Sequence, residues 1–367
     1  MTIIQGTPEW LEAKQSKISA SEIFTLVQYY CRAQLEEMGF NLLEEKSFRS
    51  VQELFLKVKF DAKLSDIDPM HSEFGNGMEP YVAYRLGKEL PQLKIERTKD
   101  FVVNNEIHPL AACSPDGRLE ITNGFELPDF DNTCVIDESW GEGKLELKTA
   151  NFFAKFGSEQ GSRLHYIFQL QDQLLVTGAK WGILAVLIPK EKQFDDPFFK
   201  GKVLGKFEES NISEWSENFD QFYDLKYYVY PLLISFQAMI LKSLKCFQRD
   251  LDAYTAGDEK AFPRNSEDLA GLQREKAMWA QLWSEHYGEK QLNEDEELNK
   301  MFNERYQFQE AKMFAEQDLD KITNEIYQKV KANGFDKFTE IRGTDNRLLF
   351  IKNGQVRFYK INNKSKQ

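Results

Sequence analysis

"GKLELKTA", residues 143–150, alternates apolar or small residues with charged ones. Side chains of a strand alternate between its two faces. Leu145 and Leu147 therefore face one way, into a core, while Glu146 and Lys148 stand side by side on the other face. An acid and a base so placed are either a surface ion pair, worth little, or part of a site. What decides is which other residues can meet them.

Three neighbouring stretches supply candidates. In "ACSPDGRLE" (112–120), Asp116 sits between a strand-like run and a Pro-Asp-Gly turn, so it is a turn aspartate or a ligand. In "GNGMEPYVAYRL" (75–86), Glu79 shares a helix face with Val82, Ala83 and Leu86. An acid on an apolar stripe is costly unless it is paired or binds metal, although a place near the helix start also favours it. In "HYIFQLQDQLLVTG" (165–178), Tyr166, Gln169 and Gln173 form a polar stripe, and Ile167, Leu170 and Leu174 an apolar one. That stripe is a solvated face, or a row of amides able to orient a water or a phosphate oxygen.

Taken together these residues ask for one chemistry, the hydrolysis of a phosphodiester. Asp116 and Glu146 offer hard oxygen ligands for Mg2+, and Glu79 can complete a second position. Lys148 can hold a water or offset charge growing on the phosphate oxygens, and Gln169 can help orient that water.

Composition narrows the setting. A chain of 367 residues, 41% of them apolar, suits one large or two compact units. No apolar run approaches the roughly 18 residues of a membrane span. The start, "MTIIQGTPEW", lacks a basic segment and an apolar signal core, so a cytoplasmic protein is expected. The four cysteines form no CxxC pair and the four histidines do not cluster, which reads as reduced thiols and no zinc. Any metal would then be held by carboxylates, as Mg2+ or Mn2+. A net charge of −12 argues against a general nucleic-acid binder and leaves room for a local basic groove.

Three zones are expected. Residues 1–208 alternate helical and strand patterns: helices at "SASEIFTLVQYYCRAQLEEMG", opened by a Ser19–Glu22 capping box, at "GNGMEPYVAYRLGKEL" and at "SRLHYIFQLQDQLLVTG"; strands at "DFVVNN", "PLAACS", "GRLEIT", "GKLELKT" and "WGILAVLIP". This is an α/β fold, a mixed central sheet flanked by helices. Residues 209–335 read as helical almost throughout, with Leu319, Ile322, Ile326 and Val330 in one apolar stripe. Residues 336–367 hold two strand-like runs around Asn353-Gly354, a hairpin packed on the preceding zones, and end in a frayed "NNKSKQ".

The pattern "PD…ELK" resembles the PD-(D/E)xK nuclease superfamily. The blocks "GTPEWLEAKQSKISASEI", "GNGMEP", "SPDGRLE", "LELKTA" and "HYIFQLQDQLLVTG" are similar, in order and approximate spacing, to the lambda-type (YqaJ-like) viral exonucleases. The resemblance implies a restriction-endonuclease-like core with a helical C-terminal extension. It makes Glu79, Asp116, Glu146 and Lys148, with Gln169, the catalytic set, and it makes Glu79, Asp116, Glu146 and the Leu147 carbonyl the ligands of one or two metal ions. Ser21, Arg163 and Gln171 are then expected contacts to DNA. Lys14 falls where the family often has an arginine on the 5′-terminal phosphate; lysine keeps the charge and loses the bidentate fork. The thirty residues between Asp116 and Glu146 are long for the pattern, so "NGFELPDFDNTCVIDESWGEGK" reads as an insertion extending the hairpin. The activity implied is 5′→3′ digestion of double-stranded DNA ends in a bacterial host. It leaves 3′ tails for a single-strand annealing protein, and some relatives form a ring trimer.

Three rival readings fit less well. An iron–sulfur nuclease of the same superfamily needs grouped cysteines, and these are scattered. A site-specific endonuclease on the same core fits the "SASE" and "QLQ" blocks poorly. A DNA-end-binding or partner-docking protein without hydrolysis, working through its helical zone, has no need to gather these acids.

Overall fold

In the computed structural model the chain opens with β1 (Thr2–Ile4), α1 (Pro8–Gln15), β2 (Ile18–Ser19), α2 (Ala20–Tyr30), α3 (Arg32–Glu37), α4 (Val51–Phe60) and α5 (Pro69–Glu89). Strands β3 (Leu93–Arg97), β4 (Asp100–Val103), β5 (Ala111–Cys113) and β6 (Gly117–Ile121) follow, then a short ribbon, β7 (Leu127–Pro128) with β8 (Val135–Ile136). Next come β9 (Gly143–Thr149), α6 (Leu164–Thr177), β10 (Trp181–Pro189), β11 (Tyr223–Pro231), α7 (Ile234–Thr255) and α8 (Leu269–Glu285). The structure describes residues 2–42, 45, 47–64, 69–122, 124–149, 163–190, 220, 223–264, 266, 269–285, 300–301, 304–305, 307–309, 311–315, 317, 321, 340–342, 347–352 and 355–360. Residues 1–287 form one compact unit and residues 288–367 a second.

The first unit is built on a five-stranded mixed sheet, ordered β11-β10-β9-β6-β3. β9 and β10 run parallel and α6 connects them; the other pairs are antiparallel. β10 reads as an unbroken apolar run because both its faces are covered. Ile183, Ala185 and Leu187 pack with Met78, Val82 and Leu86 of α5, while Leu184 and Val186 pack with α2, α6 and α7. β9 behaves differently. Leu145 and Leu147 join the α5 side, and Glu146 is left on the face toward α6. A second sheet, β1-β4-β5-β2, pairs Ser19 with Ala112 and so sets the start of α2 beside the chain that leads into Asp116.

Local chemistry explains several boundaries. The Glu22 carboxylate accepts from the Ser19 backbone N–H at 2.9 Å, as the capping box predicts. It also receives Lys57 of α4 at 2.8 and 2.9 Å in a buried ion pair. The helix expected to run through "QYYCRAQ" breaks at Cys31, whose backbone (φ −121°, ψ 20°) leaves the helical region. α6 ends at Gly178, which takes the left-handed conformation (φ 73°) that glycine adopts without penalty. α5 is a poor helix by propensity: Gly75, Gly77 and Gly87 each cost up to about 1 kcal/mol relative to alanine, and Pro80 removes an N–H. What holds it is burial of Met78, Tyr81, Val82 and Leu86 against the sheet.

Two expectations are corrected. Residues 209–335 are not helical throughout. Tyr223–Pro231 is a nine-residue strand that pairs with all of β10, from Trp181↔Pro231 to Pro189↔Tyr223. The aromatic and β-branched run "YYVY" favours a strand, and the Glu, Lys and Gln richness around it hid that signal. The first compact unit also runs past residue 208, because α7 sends Phe236, Met239, Ile240, Leu244 and Phe247 into the core that α2 and α6 share. In the second unit, β12 (Glu340–Arg342), β13 (Arg347–Lys352) and β14 (Gln355–Lys360) form an antiparallel sheet. The Lys352↔Gln355 register leaves a two-residue connection where Asn353-Gly354 was expected to turn. The stripe from Leu319 to Val330 and the tail "NNKSKQ" lie outside the described residues. Among the described residues no helix is long and apolar enough to cross a membrane.

The insertion between β6 and β9 contains the β7–β8 ribbon and returns at Gly143. Here glycine is required by space. A Cβ would lie 2.5 Å from the ring of Trp181, which is fully buried and donates its indole N–H to the Gly141 carbonyl at 3.0 Å. Gly143→Ala should therefore cost about 1–3 kcal/mol, seen as a lower midpoint in urea or thermal unfolding. An unchanged midpoint would mean that Trp181 yields freely.

Candidate active site

The face of β9 toward α6 carries the centre of the site. The Glu146 carboxylate is 1% exposed. One oxygen accepts from the Gln169 amide at 2.5 Å and pairs with the Lys148 ammonium; the other accepts from the Gln173 amide at 2.5 Å. Gln169 and Gln173 are one helical turn apart on α6, which is what lets both reach a single carboxylate. The Lys148 ammonium also stands 5.3 Å from the centre of the Tyr166 ring, one turn earlier on the same helix.

Asp116 enters through the sheet itself. Its N–H donates to the Leu145 carbonyl at 3.0 Å, extending the β6–β9 ladder by one residue beyond Gly117↔Leu145. That register sets Asp116 opposite Glu146. One Asp116 carboxylate oxygen accepts from the Leu147 N–H at 2.7 Å. Glu79 approaches from α5, paired with the Arg97 guanidinium at 3.3 Å. Glu79, Leu147 and Lys148 line one cavity of about 180 Å3 with Gly75 and Thr149.

These charges act on one another at close range. Burial pushes the Asp116 acid well above the usual carboxylate range, and the charges of Glu146 and Glu79 add to the rise against the pull of Lys148. Burial likewise raises Glu79, helped by Glu146 and opposed by Arg97 and Lys148. Burial alone would lower Lys148, but Glu146 and Asp116 more than offset it and raise it above an ordinary lysine. Lys148 is therefore a fixed cation at neutral pH, not a free amine. Asp172, beside Gln173 in sequence, stays outside this group: burial is the one cause of its raised acid, and neither of its oxygens has a hydrogen-bond partner among the described residues.

The donor set suits a hard divalent cation. Three carboxylates, Glu79, Asp116 and Glu146, face two cations, Lys148 and Arg97, so ionising all three would leave a net negative charge that a cation would offset. Among the described residues no three His, Cys, Asp or Glu side chains stand close enough to cage an ion unaided. Water and a backbone carbonyl, the part the resemblance gives to Leu147, would complete its shell.

The structure thus brings Glu79, Asp116, Glu146, Leu147, Lys148 and Gln169 together. Ser21 is exposed in the first turn of α2, its hydroxyl 3.2 Å from that of Ser19. Ser19 pairs with Ala112, two residues before Ser114, whose carbonyl lies 3.5 Å from the Gln173 amide. Arg163 caps α6 at the end that carries Tyr166. Lys14 is exposed at the end of α1, its ammonium 4.7 Å over the Trp10 ring. Gln171 is not brought to the site. It is fully buried, donating to the Pro231 carbonyl at 2.9 Å and accepting from the Leu233 N–H at 2.8 Å. Two residues beyond Gln169 is more than half a turn round a helix, so its amide ties α6 to the end of β11. Two members of the site were missed. Gln173 stood in the polar stripe and, four residues after Gln169, had the spacing to share its target. Arg97 follows Leu93 and Ile95 at intervals of two, which sets it on the side of β3 that faces α5.

The Asp116 shift has a consequence for stability. A carboxyl whose folded pKa lies above its unfolded value opposes folding once it must ionise. The penalty is absent below the unfolded carboxylate pKa, about 3.9, and grows as pH rises above it. Asp116→Asn keeps an acceptor for the Leu147 N–H and removes the charge. In metal-free protein it should melt above the wild type at about pH 7, with the difference closing toward about pH 3.5. A variant that melts lower at neutral pH would contradict the electrostatic picture.

Comparison with known proteins adds independent findings. Residues 9–180 match the model of the YqaJ-like viral recombinase domain. No curated protein sequence matches the chain. Among solved structures, similar chains include an alkaline exonuclease (LHK-Exo) from Laribacter hongkongensis, 15% identical, over 68% of this chain and 95% of that one, at a TM-score of 0.39. The same protein in complex with dAMP gives a TM-score of 0.40 over the same shares, also at 15% identity. A phage related exonuclease from Haemophilus somnus 129PT is 11% identical over 65% of this chain and 95% of that one, at 0.40. Overlays this loose add nothing to the geometry already described. The five quoted blocks and the acidic centre fall within the span of the family model, apart from the first three residues of the "GTPEWLEAKQSKISASEI" block, so residues 9–180 are similar to the YqaJ-like viral recombinase domain.

Proposed function

We propose that this chain is a metal-dependent exonuclease that digests the 5′-ended strand of double-stranded DNA. It leaves 3′ single-stranded tails for phage-type annealing recombination in the cytoplasm of a bacterial host. The observation that carries the reading is the Glu146 carboxylate, 1% exposed, opposite Asp116 and gripped by Lys148, Gln169 and Gln173. A protein that only bound DNA ends would have no use for an anion buried at such cost. The match of residues 9–180 to the viral recombinase domain supports the recombination setting. An annealing protein as partner and a ring of three copies belong to the same reading.

Mg2+ or Mn2+, as one or two ions held by Asp116, Glu146 and Glu79 with the Leu147 carbonyl, would supply Lewis-acid polarisation of the phosphodiester. The chain's own residues do the rest. Lys148 keeps its proton and presents a positive charge to phosphate oxygens as negative charge builds on them. Gln169 and Gln173 hold Glu146 in one rotamer, and Tyr166 lies against the ammonium. Arg97 fixes Glu79 at the opposite wall. In this reading Ser21 and Arg163, at the starts of α2 and α6, receive the strand being cut, and Lys14 its 5′ phosphate.

The test is a time course on linear duplex labelled at one 5′ end, with and without Mg2+. Mononucleotides should leave from the 5′ terminus only with the metal, and supercoiled plasmid should survive intact. Asp116→Ala, Glu146→Ala and Lys148→Ala should each lower kcat by about 10²–10³-fold or more while remaining folded by circular dichroism. Lys14→Ala should chiefly reduce the preference for 5′-phosphorylated ends. Release from 3′ ends would overturn the polarity, and full activity in Lys148→Ala would overturn the site.

A further inference from the structure

α5 carries Gly75 and Gly77 in its interior, where glycine is the weakest helix former short of proline. The folded chain requires neither. Neither residue has the positive φ that favours glycine. A Cβ built on Gly75 would meet only the Thr149 hydroxyl, at 3.6 Å, an ordinary contact; one on Gly77 would meet nothing within 4 Å. For Gly75 the reason lies in the cavity outside. It sits one turn before Glu79 on the same face of α5, and both line the 180 Å3 space that Leu147, Lys148 and Thr149 close from β9. That space has room for a phosphate and its sugar.

We infer that Gly75 is kept bare so that the sugar–phosphate backbone of the nucleotide being cut can lie directly against the turn of α5 ahead of Glu79. The inference rests on the nuclease reading and adds the surface on which the substrate strand is seated. A methyl group at this position would lift the strand away from Lys148 and Glu146. A shift of about 1 Å in a reacting group is enough to cost on the order of 10²-fold in rate.

Gly75→Ala and Gly77→Ala separate helix strength from substrate seating. Both should melt at or above the wild-type temperature, since alanine is the better helix former. Gly75→Ala should lower kcat/KM on a linear blunt duplex by about tenfold or more, with Gly75→Val lower still, while Gly77→Ala stays within about twofold of wild type. A Gly75→Ala protein as active as wild type would overturn the inference and leave the nuclease reading standing. A wild type inactive on duplex ends would sink both. Independently of any variant, adding a blunt duplex with Ca2+ to wild-type protein should slow deuterium uptake across residues 75–79. Uptake that falls across 146–149 but not across 75–79 would place the strand elsewhere and overturn the inference.

Discussion

A carboxylate removed from water must be offset or neutralised, and Glu146 is almost completely removed. Much of the surrounding structure answers that one requirement. Two amides and an ammonium take its two oxygens. With Asp116 opposite and Glu79 nearby, burial first and the neighbouring acids second raise the acids of Asp116 and Glu79. Replacing such a group by a well-packed apolar side chain is often neutral or stabilising. Under the proposed function that cost serves the binding of a metal ion there.

The framework that makes this placement possible is narrow. β9 needs an apolar partner on its α5 side and a polar one on its α6 side, so its alternation cannot slip by a residue without burying the acid in the leucine layer. The parallel pairing of β9 with β10 through α6 brings the helix that carries Gln169 and Gln173 over the same strand that carries Glu146. Gly143 admits the Trp181 ring at the start of β9, away from the chemistry, and fixes the end of the insertion. At the other end, the Glu22–Lys57 pair secures α2 to α4, so that the first turn of α2, with Ser21, stands beside the strand leading to Asp116.

Much of this was legible in the residues. The alternation of "GKLELKT" gave the correct faces, and the helices and strands named between residues 19 and 189 occur in that order, but α4, β3 and the β7–β8 ribbon were not read from the sequence. Glu79, Asp116, Glu146 and Lys148 stood out in the sequence, Glu79 on an apolar helix stripe, Asp116 at a turn beside a strand, and Glu146 with Lys148 on one strand face, and the fold sets them near one another. The exceptions share a physical origin. Gln171 and Gln173 look alike in "QLQDQ", and only the 100° step of a helix separates the one that clamps β11 from the one that grips Glu146. β11 was hidden because its partner in the sheet is more than thirty residues away, and pairing at that range leaves no local mark beyond aromatic and β-branched content. Arg97 is an ordinary strand-end arginine until α5 brings Glu79 to it.

The central claim is that these three clustered carboxylates hold a divalent cation. Titration of Mn2+ into metal-free protein, followed by the electron paramagnetic resonance signal of the free ion, measures that directly. The account predicts that wild-type protein removes Mn2+ from solution, that Lys14→Ala does so equally well, and that Asp116→Ala does not. Equal uptake by Asp116→Ala and wild type, or no uptake by wild type, would contradict it.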